Sequence, residues 1–451
     1  MHEVVDDVLS LIRPLVSVAE KEGADEAEIF AQTRHQKIVS FENNALRTAI
    51  SSIVEGIGIR VLVNKAVGFT SVNSYDKKRV MEGVQNAISI ARITPPEEHY
   101  FLPESRKISV LKDIYDESVA TLSMADIIEY GKHLLKCISD FDSRISVDSG
   151  EFSSKIDEYA IATSNGIELN EKKSCLNWYS FGWAVDGTDI GTVELEYDYA
   201  VSPADLDLET GAKMFGQRVI QNLGAEKTEG FKGPAIFSPE AVADLMNMLM
   251  QSANAVEIQS GSSFLQDKLG ENIAVSDLTI TDNGKAAKRT TSSSFDREGV
   301  PRTSLDILDS GVFKGILYNT FAANKDGLES TGHASGGFRT APNISGTNIE
   351  IQKGNVKLDD MVSEINRGIF IQRIAMAPDI TSGNYSGVLK GGRLIENGEI
   401  KMTLKEITVA GNLYECLKKI IGISKEQKVL RGLSTSWLVP YMRIDDLDFS
   451  T

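Results

Sequence analysis

The residues able to do chemistry in this chain are few and scattered. Its five histidines are His2, His35, His99, His133 and His333, and no two stand three, four or five residues apart. A helix-borne zinc protease site needs two histidines about one turn apart, so that both imidazoles face one ion, with a glutamate beside the first as base. His2-Glu3 begins such a pattern, but Asp6-Asp7 stand where the next turn would need a second histidine. The three cysteines, Cys137, Cys175 and Cys416, form neither a disulfide framework nor a CxxC pair. That usage points to a reducing compartment. Cys137 follows His133 by one helical turn. Leu134 and Leu135 between them fit an ordinary amphipathic helix, and thiol activation needs an electropositive, partly exposed setting.

There is no Gly-x-Ser-x-Gly elbow and no phosphate loop. Gly56-Ile57-Gly58-Ile59 does not complete a dinucleotide fingerprint, and in a β run such glycines suggest a bulge. Carboxylates remain. Asp296 and Glu298 flank Arg297 in Phe295-Asp296-Arg297-Glu298-Gly299. On an extended segment alternate side chains share a face, so the two acids would face one spot and hold a cation or a peptide amine. The same residues also make a self-satisfied turn, with Asp296 bonding nearby backbone and Gly299 at positive φ. Ser330-Thr331-Gly332-His333 opens a small-residue loop suited to close approach of another backbone, with His333 read as an exposed loop residue.

Elements must position these groups. The apolar positions Val242, Leu245, Met246, Leu249 and Ala253 recur at helical spacing, with Ser238 as cap and Pro239 at the first helical position. Helices are also expected from Val4 to Ala19, with Pro14 kinking or splitting the run, from Val80 to Ala91, from Ser123 to Ile138 with a Ser123/Asp126 capping box, and from Leu208 to Leu223. Short strands are expected at 27–33, 37–42 and 45–50, then two more about Asn64-Lys65. The aromatic run Trp178, Tyr179, Phe181 and Trp183 reads as sheet packing. The second half is richer in strands, with a turn at Asn397-Gly398 and a helix expected from Thr408 to Ile421. The fold class is α+β: antiparallel sheets with flanking helices first, then a strand-rich, β-barrel-like domain. The expected units are an N-terminal module over 1–110, a central one over 111–228 and a C-terminal domain over 229–451.

The chain has 451 residues and ordinary globular composition, with 47 Lys+Arg against 64 Asp+Glu for a net charge of -17. Direct nucleic-acid binding needs a basic face, and no basic run supplies one. No apolar stretch is long and uncharged enough for a membrane span, and the acidic N-terminus lacks a signal-peptide n-region. A cytoplasmic protein is expected.

Ordered along the chain stand Phe237-Ser238-Pro239-Glu240, Ser262-Ser263-Phe264-Leu265, Leu278-Thr279-Ile280-Thr281-Asp282, Ser294-Phe295-Asp296-Arg297-Glu298-Gly299-Val300, Ser330-Thr331-Gly332, Thr381-Ser382-Gly383-Asn384-Tyr385-Ser386 and Ala410-Gly411-Asn412-Leu413. Gly56-Ile57-Gly58-Ile59-Arg60-Val61 is a looser match near the N-terminus. In this order the pieces resemble the TldD/PmbA family, the "modulator of DNA gyrase" proteins. Its two branches resemble the two subunits of a heterodimeric metalloprotease. The TldD branch carries His-Glu-x-x-x-His on a helix before the Ser-Ser-Phe segment, and a Cys ligand near the C-terminus. Counting back from Ser262 puts that hexad near Met246–Gln251, where no histidine stands, and no cysteine follows Cys416. Asn412-Leu413 likewise resembles the TldE/PmbA branch.

The resemblance implies a non-metal subunit that pairs with a TldD-like zinc subunit and encloses unfolded peptides. No cofactor is expected in this chain, and the zinc is expected in the partner. No catalytic or metal-ligating residue is assigned. Phe295, Asp296, Glu298, Gly299, Ser330, Thr331 and Gly332 are the expected peptide or partner contacts. A homodimer is the alternative assembly for the chain alone. The alternative function is a regulatory binding protein acting on DNA gyrase or a toxin–antitoxin system without proteolysis.

Overall fold

The structure, a computed structural model, describes residues 8–451, so His2, Val4 and Val5 lie outside the described residues. The first helix, Val8–Lys21, buries Ile12, Leu15, Val16 and Ala19 along one stripe and runs through Pro14 without splitting. The short strands expected between 27 and 63 prove to be two long ones, Glu26–Glu42 and Ala45–Val63. The polar stretch Thr33–Lys37 reads as a break in sequence. It is continuous strand because Glu26–Glu42 pairs antiparallel on both sides, with Ala45–Val63 and with Ile145–Thr163, and every backbone group there has a ladder partner. Asn64 and Lys65, at φ 50° and 64°, make the tight turn into Ala66–Val72.

Seven strands form this first sheet, and it takes strands from both sides of residue 110. Its side chains sort by the two-residue period. One face carries Ala27, Ile29, Ala31, Ile57, Ile59 and Val61 under the helices Val8–Lys21 and Lys77–Ile93. Further along, the same face carries Val39, Phe152, Ile156 and Leu176 under Met124–Phe141 and Leu208–Gln221. Ser123 caps Met124–Phe141 through a capping box with Asp126, as its spacing indicates. The opposite face holds Phe30, Ile161, Ile167 and Leu169 against Phe295 and Phe338 from the second half of the chain. Gly56 and Gly58 belong to this face. They mark no bulge, for the register runs on through both. A Cβ at Gly56 would lie 2.2 Å from the Phe338 ring, and one at Gly58 would lie 2.6 Å from the Phe338 carbonyl oxygen. The glycines let the two halves touch.

From Phe231 onward a second sheet of thirteen strands begins. It branches at the last strand, Ser436–Ser450, which pairs with Asn348–Ile351, Phe231–Phe237, Thr408–Asn412 and Ile420–Leu430. The helix expected over Thr408–Ile421 shrinks to Leu413–Lys418. The residues before it, with β-branched Thr408 and Val409, join the sheet, and Asn412 caps the short helix. The largest apolar core of the molecule fills the hollow of this sheet around the helix Pro239–Ser252. The fold is mixed α+β.

Candidate functional site

Ser238 starts the central helix by accepting a hydrogen bond from Ala241 N at 3.2 Å, and it anchors the helix by donating to the Gln372 carbonyl at 2.6 Å. Ten of its fourteen residues are buried, including Leu245, Met246, Met248 and Leu249. What remains is one polar stripe, Glu240, Asp244, Asn247 and Gln251, at helical spacing. This stripe forms one wall of a cavity of about 440 Å³ between the helix, the strand Glu194–Ala200 and the helix Leu208–Gln221. Apolar side chains, among them Trp178, Met214, Met376 and Trp437, complete the lining.

The acids of the stripe are already engaged. Arg218 bridges Glu196 and Glu240, and Lys428 reaches Glu240 at 2.7 Å. Asp244 takes Arg373 at 3.1 Å and the Ile374 N–H at 3.1 Å. Asp198 holds Arg431 at 2.6 Å on the neighbouring wall. Burial alone would raise Glu240, but Arg218 and Lys428 overcome it and hold the carboxyl at about 2. For Glu196 burial prevails over Arg218, and its pKa is raised.

This donor set does not fit a zinc ion. Asn247 and Gln251 offer only amides, and each carboxylate is tied to a cation whose displacement would leave that cation buried and unpaired. Among the described residues no three His, Cys, Asp or Glu side chains converge. Cys416 is buried, with its sulfur 3.2 Å from the Tyr385 hydroxyl, and burial raises its thiol pKa. At Cys137, burial and then Glu209 raise the thiol against the needs of a nucleophile, although the sulfur lies 3.7 Å from His133 Nε2.

The residues singled out around Arg297 lie elsewhere, in the contact between the two halves. Asp296 and Glu298 do not face one spot. Asp296 Oδ1 accepts the N–H groups of Glu298 (2.8 Å) and Val300 (3.0 Å), Oδ2 accepts that of Ala334 (2.9 Å), and Gly299 takes φ 79°. Burial and the nearby Glu298 push Asp296 up to about 7, against Arg302. Glu298 turns the other way and joins Arg60 at 2.8 Å and the Thr320 N–H at 2.7 Å. Arg60 also pairs with Glu28, and Glu28 takes Arg297 at 2.9 Å. These four ionised side chains are at most 4% exposed. Phe295 is packed against Phe30 and Phe338 in the same contact.

His333 is buried, not exposed, because the loop folds inward. It bonds Thr331 Oγ1 at 2.8 Å through Nδ1 and faces Asp282 at 3.3 Å through Nε2. The Thr331 hydroxyl accepts the Tyr318 N–H at 2.8 Å, and Ser330 Oγ donates to the Tyr318 carbonyl at 3.2 Å. Gly332, at φ 76°, lets the loop lie against Pro301, whose carbonyl oxygen would be 2.6 Å from an added Cβ. The loop is pinned by its own hydroxyls, with Thr331 on His333 and Ser330 on the Tyr318 carbonyl.

Sequence reasoning missed the cations of the cavity, Arg218, Arg373, Lys428 and Arg431. The helical spacing of Glu240, Asp244, Asn247 and Gln251 was a readable signal for the stripe. Nothing local marks their partners, which come from three other elements.

A long helix-backed antiparallel sheet, joined to a branched sheet around one central helix, makes a two-part mixed α+β scaffold. Residues 231–451 match the PmbA/TldA metallopeptidase C-terminal domain, and residues 27–91 match PmbA/TldA metallopeptidase domain 1. The chain belongs to the PmbA/TldD family. It is 26% identical to Metalloprotease PmbA of Escherichia coli O157:H7 across 98% of this chain and 96% of that protein. Its fold matches that of TldE from Thermococcus kodakarensis, with a TM-score of 0.89 at 24% identity over 98% of this chain and 100% of that one. A Thermotoga maritima MSB8 protein described as a proposed modulator of a DNA gyrase matches with a TM-score of 0.87 at 23% identity over 98% and 100%.

Proposed function

We propose that this chain is the non-metal subunit of a two-chain zinc metalloprotease acting on unfolded peptides, and that the zinc belongs to a TldD-like partner. The observation that carries this reading is the cavity-facing stripe of the central helix. Over Met246–Gln251, the stretch that corresponds to the metal-binding hexad, the helix presents Asn247, Met248 and Gln251 to the cavity beside two neutralised acids, and no histidine. Such a wall can hold an extended peptide: amides and paired ions for its backbone, and Trp178, Trp437 and the methionines for its side chains. The partner would polarise the scissile carbonyl and activate water. The chain would work in the cytoplasm, a setting that three free cysteines suit. No described helix is long and apolar enough to cross a membrane.

The test is reconstitution. The purified chain alone should hold no stoichiometric zinc by metal analysis and should leave unfolded casein intact. Adding a His-Glu-x-x-x-His chain of the TldD type should yield a heterodimer and chelator-sensitive cleavage. Chelator-sensitive cleavage by the isolated chain would overturn the proposal. A second reading, a regulatory binding protein without proteolysis, draws on the gyrase description of the Thermotoga maritima neighbour. It requires a stable complex with gyrase in the absence of any protease subunit, and the net charge of -17 speaks against contact through DNA.

A further inference from the structure

A second cavity, of about 300 Å³, lies on the helix-free face of the first sheet, under the loops of the second half. Five cationic side chains line it: Arg34, Lys155, Lys173, Arg297 and Arg302. Its three carboxylates, Asp157, Glu171 and Asp296, are all satisfied from within the protein. Asp157 takes Arg34 at 2.7 and 3.1 Å. Glu171 takes the Ser294 N–H at 2.8 Å and the Ser293 hydroxyl. Asp296 takes the three backbone N–H groups described above.

The donors are not satisfied to the same degree. Among the described residues, the ammonium groups of Lys155 and Lys173 have no hydrogen bond and no carboxylate within ion-pair distance, although both residues are half-buried. Arg297, 4% exposed, leaves Nε and Nη2 without an acceptor, and Arg302, 8% exposed, leaves Nε without one. Burial lowers the pKa of Lys173, Arg297 and Arg302 alike, despite the neighbouring carboxylates. Arg34 is paired with Asp157, Arg297 gives Nη1 to Glu28, and Arg302 donates to the Gly332 and Ala334 carbonyls; what remains are two ammonium groups and three guanidinium nitrogens, the donors an anion would satisfy in a cavity whose acceptors are used. This local excess of positive charge stands in a chain of net charge -17. Phe30, Tyr159, Tyr199 and Phe295 add flat apolar walls.

We propose that this cavity binds a small organic anion, carrying a carboxylate or phosphate group, held by Lys155, Lys173, Arg297 and Arg302. Its volume is at the lower end for small-molecule pockets, which suits a metabolite-sized ligand. The site is separate from the peptide-facing cavity and does not rest on the protease reading. Because it sits where the two halves meet, occupancy would bind them together.

The experiment is isothermal titration of the full chain with succinate and, separately, with inorganic phosphate. Saturable binding at one site per chain by either probe is expected, and the stronger probe tells a carboxylate from a phosphate ligand. Lys173→Gln should weaken that binding at least tenfold while leaving the melting temperature of the anion-free protein unchanged. Should that variant fail to fold, Lys155→Gln carries the same test from a separate position on the wall. Absence of saturable binding by both probes at millimolar concentration, or wild-type affinity in the folded variants, overturns the proposal.

Discussion

Replacing Glu298 with Gln removes one negative charge from four ionised groups that bridge the halves of the molecule. Glu28 and Arg60 come from the first sheet, Arg297 and Glu298 from the loop of the second half, and their charges cancel. The glutamine keeps the shape and still accepts the Thr320 N–H, so the perturbation is electrostatic. It leaves a net positive charge in a site at most 4% exposed. Removing one member of a buried ion pair costs about 3–5 kcal/mol, because the partner charge stays desolvated. At roughly 2.1 cal/mol/K per residue over 451 residues, the unfolding entropy is about 0.95 kcal/mol/K, so the melting temperature should fall by about 3–5 °C. Urea unfolding followed by fluorescence, with calorimetry alongside, measures both quantities. The double variant Glu298→Gln/Arg60→Met leaves Glu28 and Arg297 in balance and should recover part of the loss. A loss below about 1 kcal/mol, the value of an exposed pair, would refute the reasoning. So would a double variant whose loss equals the sum of the two single ones.

Other consequences follow from particular residues. Glu240 has a folded-state pKa of about 2, below its ordinary value, so its contribution to stability is present above pH 4.5 and is lost as pH falls toward 2. Comparing Glu240→Gln with wild type by urea unfolding should show a difference of about 3 kcal/mol at pH 7 that shrinks through this window. A difference that is constant with pH would mean the carboxylate is not held by Arg218 and Lys428. Gly68→Ala places a Cβ 1.9 Å from the Ala87 carbonyl oxygen and 2.7 Å from the Ala91 N–H nitrogen, both helix backbone. It should cost about 3 kcal/mol or more in thermal unfolding, since neither backbone can yield freely. In the reconstituted complex, Asn247→Ala and Gln251→Ala should leave zinc content unchanged and raise the peptide KM several-fold. Loss of zinc in either variant would place a ligand in this chain.

The central helix and its cap, the capping box at Ser123 and the turn at Asn64-Lys65 were legible because each depends on residues within a few positions of one another. The buried stripe of Leu245, Met246 and Leu249 was legible for the same reason, as was the polar character of Asn247 and Gln251. The continuous strand through Thr33–Lys37 was not. Its polar residues look like a loop until two partners, one of them over a hundred residues away, supply the ladder. The strand nature of Thr408–Asn412 was hidden likewise, since it depends on Asn384–Lys390 and Ser436–Ser450.

By itself, then, the sequence determined the scaffold's local parts, the overall acidity, and the lack of a helical histidine pair at Met246–Gln251. Only the tertiary structure decided what the polar groups do. It turned Asp296 and Glu298 away from each other, buried His333, and tied Glu240 and Asp244 to cations from three other elements. It also set five cations around one cavity. Helix caps and periodicity are short-range and written in neighbouring residues. Charge neutralisation and desolvation depend on which distant segments meet, and that is settled when the two sheets close on each other.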